Sequence, residues 1–184
     1  MREKQSELRQ DLVSGDWIVM APGRAKRPQD LIKKPVKRIK APIKNCPLEN
    51  PQKYGNEESI LVYKHNRDWE LQILPNKYPA VRHDKVIAVL AKHGPYSVLP
   101  GVGHHDLLIT HDHDKNFPKL NAKQADLVFQ AFRDRYLMLL NDEYLAYVAI
   151  FHNWGPKAGA SIYHPHYQMI AIPVVPPDIE HSLE

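Results

Sequence analysis

The sequence predicts an α+β domain, a mainly antiparallel sheet with one long helix laid on a face of it. Two observations carry this. Short β-prone runs bounded by turn residues recur at Trp17 to Met20, Ile60 to Tyr63, Trp69 to Leu74, Val86 to Leu90, Leu107 to Thr110 and Tyr147 to Phe151. One stretch, 121 to about 140, has the helical period instead: Ala125, Val128, Phe132, Tyr136 and Leu139 recur three and four apart and give one apolar face to set on the sheet.

The composition bounds the function. A length of 184 residues suits one domain with a core stable unaided, and 43% hydrophobic with 25% charged residues is ordinary for a globular chain. One cysteine excludes an internal disulfide framework. No apolar run reaches membrane-spanning length and the first residues carry no apolar signal core, so a cytoplasmic location without membrane partners is the expectation. Charge is uneven: residues 23 to 44 hold nine Lys or Arg against Asp30 alone, a local +8 within a total of +4. Such a block suggests an anionic partner or a solvated loop. No aromatic is interleaved with the charges, which argues against a base-stacking nucleic-acid surface.

In chain order, a Ser14-Gly15 turn leads into the first strand, which ends at Ala21-Pro22-Gly23. Prolines at 28, 35 and 42 make the following basic segment an unlikely helix or inner strand. Cys46 opens Asn-Cys-Pro-Leu-Glu-Asn-Pro. A lone cysteine is often a small buried apolar residue. Asn76 lies in Pro-Asn-Lys-Tyr-Pro-Ala-Val and reads equally as a turn former. Asn121-Ala-Lys-Gln124 has the spacing of a capping box and starts the helix, whose aromatics read as core residues.

Residues 151 to 175 carry the chemistry. Successive side chains of a strand alternate faces, so His164, His166 and Gln168 would point the same way, toward whatever the loop from Gly155 to Ser161 holds. Gly155 and Gly159 let backbone amides approach an anion, Ser161 and Gln168 add neutral donors, and a neutral imidazole can serve as nucleophile. His-x-His by itself is weak: chance gives about 0.7 such pairs in a chain this rich in histidine. His111 and His113 make a second. The specificity lies in Asn153, the glycines, Ser161, Gln168 and the following strand occurring in one run.

Gly159-Ala-Ser-x-x-His-Pro-His-x-Gln168 resembles the active-site motif of the galactose-1-phosphate uridylyltransferase family, a branch of the histidine-triad superfamily. The ending Gln-Met-x-Ala-x-Pro-Val-Val-Pro-Pro leans toward bacterial and plant members, ADP-glucose phosphorylase-like proteins included. The resemblance covers residues 10 to 184 and corresponds to the N-terminal half of the family's proteins, so 1–184 is expected to be one histidine-triad-like domain with the second half absent.

The resemblance implies a uridylyl transfer between UDP-glucose and galactose 1-phosphate, or a related nucleotide sugar and hexose 1-phosphate, through a nucleotidyl-histidine on His166. Gln168 and Ser161, with backbone amides of Gly159 and Ala160, would hold the phosphoryl oxygens. Arg24 and Arg27 match the arginines that meet the nucleotide phosphates, and Asn76 and Asn153 would position the nucleoside. Where many members have Cys-x-x-Cys, this chain has Cys46 and Glu49; with His113 and His164 they would bind zinc, His111 being a rival for His113. A homodimer is the implied assembly. Two other readings stay open: an adenylyl-specific ADP-sugar phosphorylase or nucleotide hydrolase, and a noncatalytic nucleotide- or RNA-binding half-protein.

Overall fold

A computed structural model describes residues 5–26, 40–83 and 88–182. Among the described residues, nine strands and two α-helices run in the order β1 (Glu7–Gln10), β2 (Trp17–Met20), β3 (Leu61–His65), β4 (Asp68–Pro75), β5 (Ala91–His93), β6 (Tyr96–Pro100), β7 (His104–Thr110), α1 (Ala122–Leu139), β8 (Tyr147–Phe151), β9 (His166–Ile172) and α2 (Pro177–Glu180). The strands form two antiparallel sheets rather than one. A five-stranded sheet has the order β3-β4-β7-β9-β8 and a four-stranded sheet the order β2-β1-β6-β5.

The larger sheet positions the site, and strict alternation along its central strands sorts side chains to two faces. Leu71, Ile73, Leu108, Tyr167 and Met169 turn to one face, where Val128, Ala131, Phe132 and Leu139 of α1 complete the core. Leu74, Leu107 and Ile109 turn to the other and pack with Cys46 and Leu48. In the register of β7 against β9, Leu107 pairs with Gln168 and Ile109 with His166, so the predicted active residues share that second face.

The helix begins as its sequence indicates. Asn121 Oδ1 accepts from the Gln124 amide at 2.9 Å and Gln124 Oε1 accepts from the Asn121 amide at 3.2 Å, the reciprocal capping box. Its buried stripe is Val128, Ala131, Phe132, Arg135 and Leu139: Ala125 of the predicted stripe is only half-buried, and Ala131 joins the core. Tyr136 is 42% exposed, whereas Arg135 is buried. Arg135 Nε donates to Asp106 Oδ2 at 2.8 Å, both side chains nearly inaccessible. A charged residue takes the core-facing place because its partner waits beneath it on β7, and the Tyr136 ring turns to solvent.

Of the strand expected over Val86 to Leu90, residues 86 and 87 lie outside the described residues, and 88–90 have no regular structure. A hairpin of β5 and β6 follows instead, joined by the two residues Gly94-Pro95, with His93 opposite Tyr96. Strand β1 had no sequence signal. Of its four residues only Leu8 is buried, against Leu99 and Val174.

Candidate active site and metal cluster

On the sheet face away from α1 lies a cavity of about 420 Å³. His166, Gln168, Ser161, Asn153, Asn76 and Arg24 line it, together with Gly159 and Ala160. Residues drawn from three separate parts of the sequence thus meet at one cavity. Arg27 lies outside the described residues.

The loop preceding β9 is shaped by its glycines. Gly155 and Gly159 have φ of 81° and 80°, a conformation that L side chains rarely adopt, and flank a single 3-10 turn over Pro156–Ala158. The amides of Ala158 and Ala160 both donate to the Gly155 carbonyl, at 3.2 and 3.1 Å, and that of Gly159 to the Pro156 carbonyl at 3.1 Å. The expected phosphate-facing role of the Gly159 and Ala160 amides is therefore not seen: the turn spends them on closing itself.

His166 is 8% exposed. Its Nδ1–H donates to the His164 carbonyl at 2.9 Å, so the lone pair resides on Nε2 of a ring that lines the cavity. Burial holds its pKa below the usual histidine value, the His164 hydrogen bond opposing in part. The imidazole is thereby kept neutral near pH 7, the form a nucleophile needs. Arg24 Nη1 donates to the Tyr78 carbonyl at 2.6 Å, which ties the first basic loop to the segment bearing Asn76.

Two residues before the nucleophile candidate, His164 belongs to a different centre. The ligand-type atoms of Cys46, Glu49, His113 and His164 all lie within 4.8 Å of one another. His164 Nε2 donates to the Thr110 carbonyl at 2.7 Å and His113 Nε2 to the Ala41 carbonyl at 2.9 Å. Carbonyls only accept, so each ring carries its hydrogen on Nε2 and turns an Nδ1 lone pair inward. Those lone pairs meet Glu49 Oε1 at 2.9 Å from His113 and 3.1 Å from His164, with Cys46 Sγ 3.7 Å from His164 Nδ1. Acceptors facing acceptors repel, and a cation among them resolves the conflict. The donor set therefore fits a metal ion, with the backbone carbonyls as the outer partners that fix ring orientation. Burial pushes the Cys46 thiol up, a push that a bound cation would reverse. His111 stands apart, half exposed beside Asp68 and against the Trp69 ring.

A second group, His83, His104 and Asp142, also brings ligand-type atoms together. Here Arg135 Nη2 donates to His104 Nδ1 at 3.2 Å, so the His104 hydrogen sits on Nε2 and is given to Asp142 at 3.3 Å. A guanidinium behind the ring opposes both protonation and metal binding. The group works as an extension of the Arg135–Asp106 pair.

Sequence reasoning missed His105, which lines the cavity with its Nε2 3.0 Å from Gln168 Oε1. Alternation would have found it, since His105, Leu107 and Ile109 must share the face that β9 gives to Gln168.

Comparison with known proteins identifies the family. The family model for the galactose-1-phosphate uridyl transferase N-terminal domain matches residues 1–176. ADP-glucose phosphorylase of Arabidopsis thaliana is 31% identical over 99% of this chain and 53% of its own length. Galactose-1-phosphate uridylyltransferase of Thermotoga maritima is 28% identical over 95% of this chain and 49% of its own. A crystal structure of the Arabidopsis thaliana ADP-glucose phosphorylase with bound ADP-glucose has a TM-score of 0.64 at 27% identity, covering 97% of this chain and 52% of that one. The chain spans about half the length of the relatives it matches. On the match over 1–176, the chain belongs to the galactose-1-phosphate uridyl transferase family, in its N-terminal domain.

Proposed function

We propose that this chain carries nucleotidyl transfer between a nucleotide sugar and a hexose 1-phosphate, with His166 as the nucleophile. The observation that carries this reading is the fixed tautomer of His166: Nδ1–H bound to the His164 carbonyl, Nε2 free to attack, on a ring lining a cavity shared with Gln168, Ser161 and Arg24. Nε2 attacks the α-phosphorus of the nucleotide sugar. A P–N bond forms as the bridging P–O bond to the sugar phosphate breaks, and hexose 1-phosphate leaves. A phosphate oxygen of a second hexose 1-phosphate then attacks the nucleotidyl-histidine and returns His166 to its starting state. As the first bond forms, positive charge grows on the ring and strengthens the Nδ1–H bond to the carbonyl. Arg24 and the amide of Gln168 meet the phosphoryl oxygens; Asn76 and Asn153 position the nucleoside, and Arg27 joins Arg24 at the phosphates on the resemblance of their shared run to the family's.

Uridylyl transfer from UDP-glucose to galactose 1-phosphate is the first reading of the base. Adenylyl transfer is the second, favoured by the 31% identity to an ADP-glucose phosphorylase over nearly the whole chain. Zinc is the metal assigned to Cys46, Glu49, His113 and His164: a tetrahedral zinc separates its ligand atoms by roughly 3.3 to 3.7 Å, close to the spacing of this set. Its role there is to fix the chain at His164, whose carbonyl orients the nucleophile.

Intact mass of the protein after separate exposure to UDP-glucose and ADP-glucose tests the reading. A uridylyl or an adenylyl adduct identifies activity and base together, and His166→Ala is expected to abolish it with the fold intact. Equal labelling of that variant, or no adduct on the wild-type chain with either sugar, would defeat the proposal.

A further inference from the structure

Glutamine presents a phosphate with a problem of direction. Its side-chain amide is nearly symmetric in shape, and rotation by half a turn exchanges an N–H donor for a carbonyl acceptor. Only the donor end stabilises a phosphoryl oxygen. Gln168 lines the cavity beside His166, so something must decide which end faces inward.

The decision is made on β7. The main-chain N–H of Ala80 donates to His105 Nδ1 at 2.9 Å. A main-chain amide can only donate, so Nδ1 holds a lone pair and the ring hydrogen is on Nε2. Nε2 lies 3.0 Å from Gln168 Oε1, and its hydrogen fixes the carbonyl end against the wall, leaving the NH2 end for the cavity. Asn76 obeys the same logic. Its Oδ1 accepts from the Tyr78 main-chain amide at 3.0 Å, so the Nδ2 that lies 3.0 Å from His105 Nε2 is a second donor beside the first. Two donors cannot bond to each other, so His105 gives its hydrogen to Gln168.

Resting on the transferase reading, we infer that His105 is a positioning residue: it locks the Gln168 amide with its NH2 toward the phosphoryl oxygens. The direction of this relay originates in the backbone at Ala80, on the same segment that carries Asn76. His105 itself touches no reacting atom.

Two measurements test this. The first needs no activity: nitrogen NMR of histidine-labelled wild-type protein, with His105 assigned from the spectrum of His105→Gln, should show the Nε2–H tautomer at neutral pH. An Nδ1–H tautomer or a doubly protonated ring overturns the inference, because Gln168 would then be turned around or unheld. The second is single-turnover adduct formation. His105→Phe should slow it about 10- to 100-fold, less than the loss of a phosphoryl donor outright, with nucleotide-sugar affinity changed by no more than about threefold. His105→Gln, whose amide can replace the Nε2–H, should recover about tenfold of that loss. In a Gln168→Ala background His105→Phe should cost nothing further, since coupled residues are not additive. A full additional loss there, or a wild-type rate for His105→Phe, overturns the inference. Failure of the wild-type chain to form any adduct would defeat the transferase reading instead, and the tautomer alone would then decide whether His105 sets the amide.

Discussion

The two faces of the five-stranded sheet are built from the same strands by one-residue alternation, yet they put polar groups to opposite uses. Toward α1, β7 contributes Asp106 and Leu108 and β9 contributes Tyr167, Met169 and Ala171; the charge there is neutralised in place by Arg135. Toward the cavity, the same strands contribute His105 and Leu107, then His166 and Gln168, and the His166 ring is tied at one nitrogen. His105, His113, His164 and His166 each have one ring nitrogen fixed by a backbone amide or carbonyl. Which nitrogen is fixed decides what the other offers: a hydrogen at His105, a nucleophilic lone pair at His166, an inward ligand atom at His113 and His164. One face neutralises its buried charge in place, the other leaves a ring nitrogen of His166 open to the cavity.

Breaking the closed face should have the largest effect on stability. Arg135→Met leaves the Asp106 carboxylate buried without its partner, at a cost of about 3–5 kcal/mol. Burial already raises the pKa of Asp106, against the pull of Arg135. The double variant Asp106→Asn with Arg135→Met should regain most of that stability. Thermal unfolding of the two variants would contradict the comparison if the double were as unstable as the single.

The metal cluster should respond less, and in a way that joins stability to composition. Elemental analysis is expected to find about one zinc per chain, and Cys46→Ser to lose it with a fall in unfolding midpoint of roughly 5–10 °C. An equally stable, metal-free wild-type protein would make Cys46 an ordinary buried thiol and move the cluster to the satisfied side of the comparison.

The smallest effect expected is on the pH dependence of stability. His104 and His152 both have pKa values lowered chiefly by burial, with Arg135 adding to the effect at His104 and His166 at His152. A histidine lowered on folding binds its proton more readily in the unfolded chain, which titrates near 6.5. Above that pH these groups add nothing. Below it the unfolded state gains protons that the folded state refuses, and stability falls by at most about 1.4 kcal/mol per pH unit for each, less where the ring is partly solvated. The midpoint should therefore be lower at pH 5.5 than at pH 7.5, and identical midpoints would count against the burial of these two rings as the source.

Local signals decided what the sequence could determine. A capping box acts across three residues, so Asn121 and Gln124 placed the start of α1 unaided. Period-two runs located β2, β3, β4, β7 and β8, and the histidine and glutamine spacing before Ile172 placed His166 and Gln168 on one face. Tertiary structure decided the rest, because the deciding partner lay far along the chain. β1 forms around one buried leucine met by Leu99 and Val174, which no four-residue pattern can announce. Arg135 displaced Tyr136 from the core because Asp106 is on β7 beneath it. The resemblance supplied four metal-ligand candidates, but the inward-facing nitrogens of His113 and His164 follow from carbonyls at Ala41 and Thr110. His105 acquired its part only when Ala80 and Gln168 closed on its two nitrogens. A sequence records which side chain carries an imidazole; the fold alone decides where its proton sits, since that depends on which backbone group is brought within hydrogen-bonding distance.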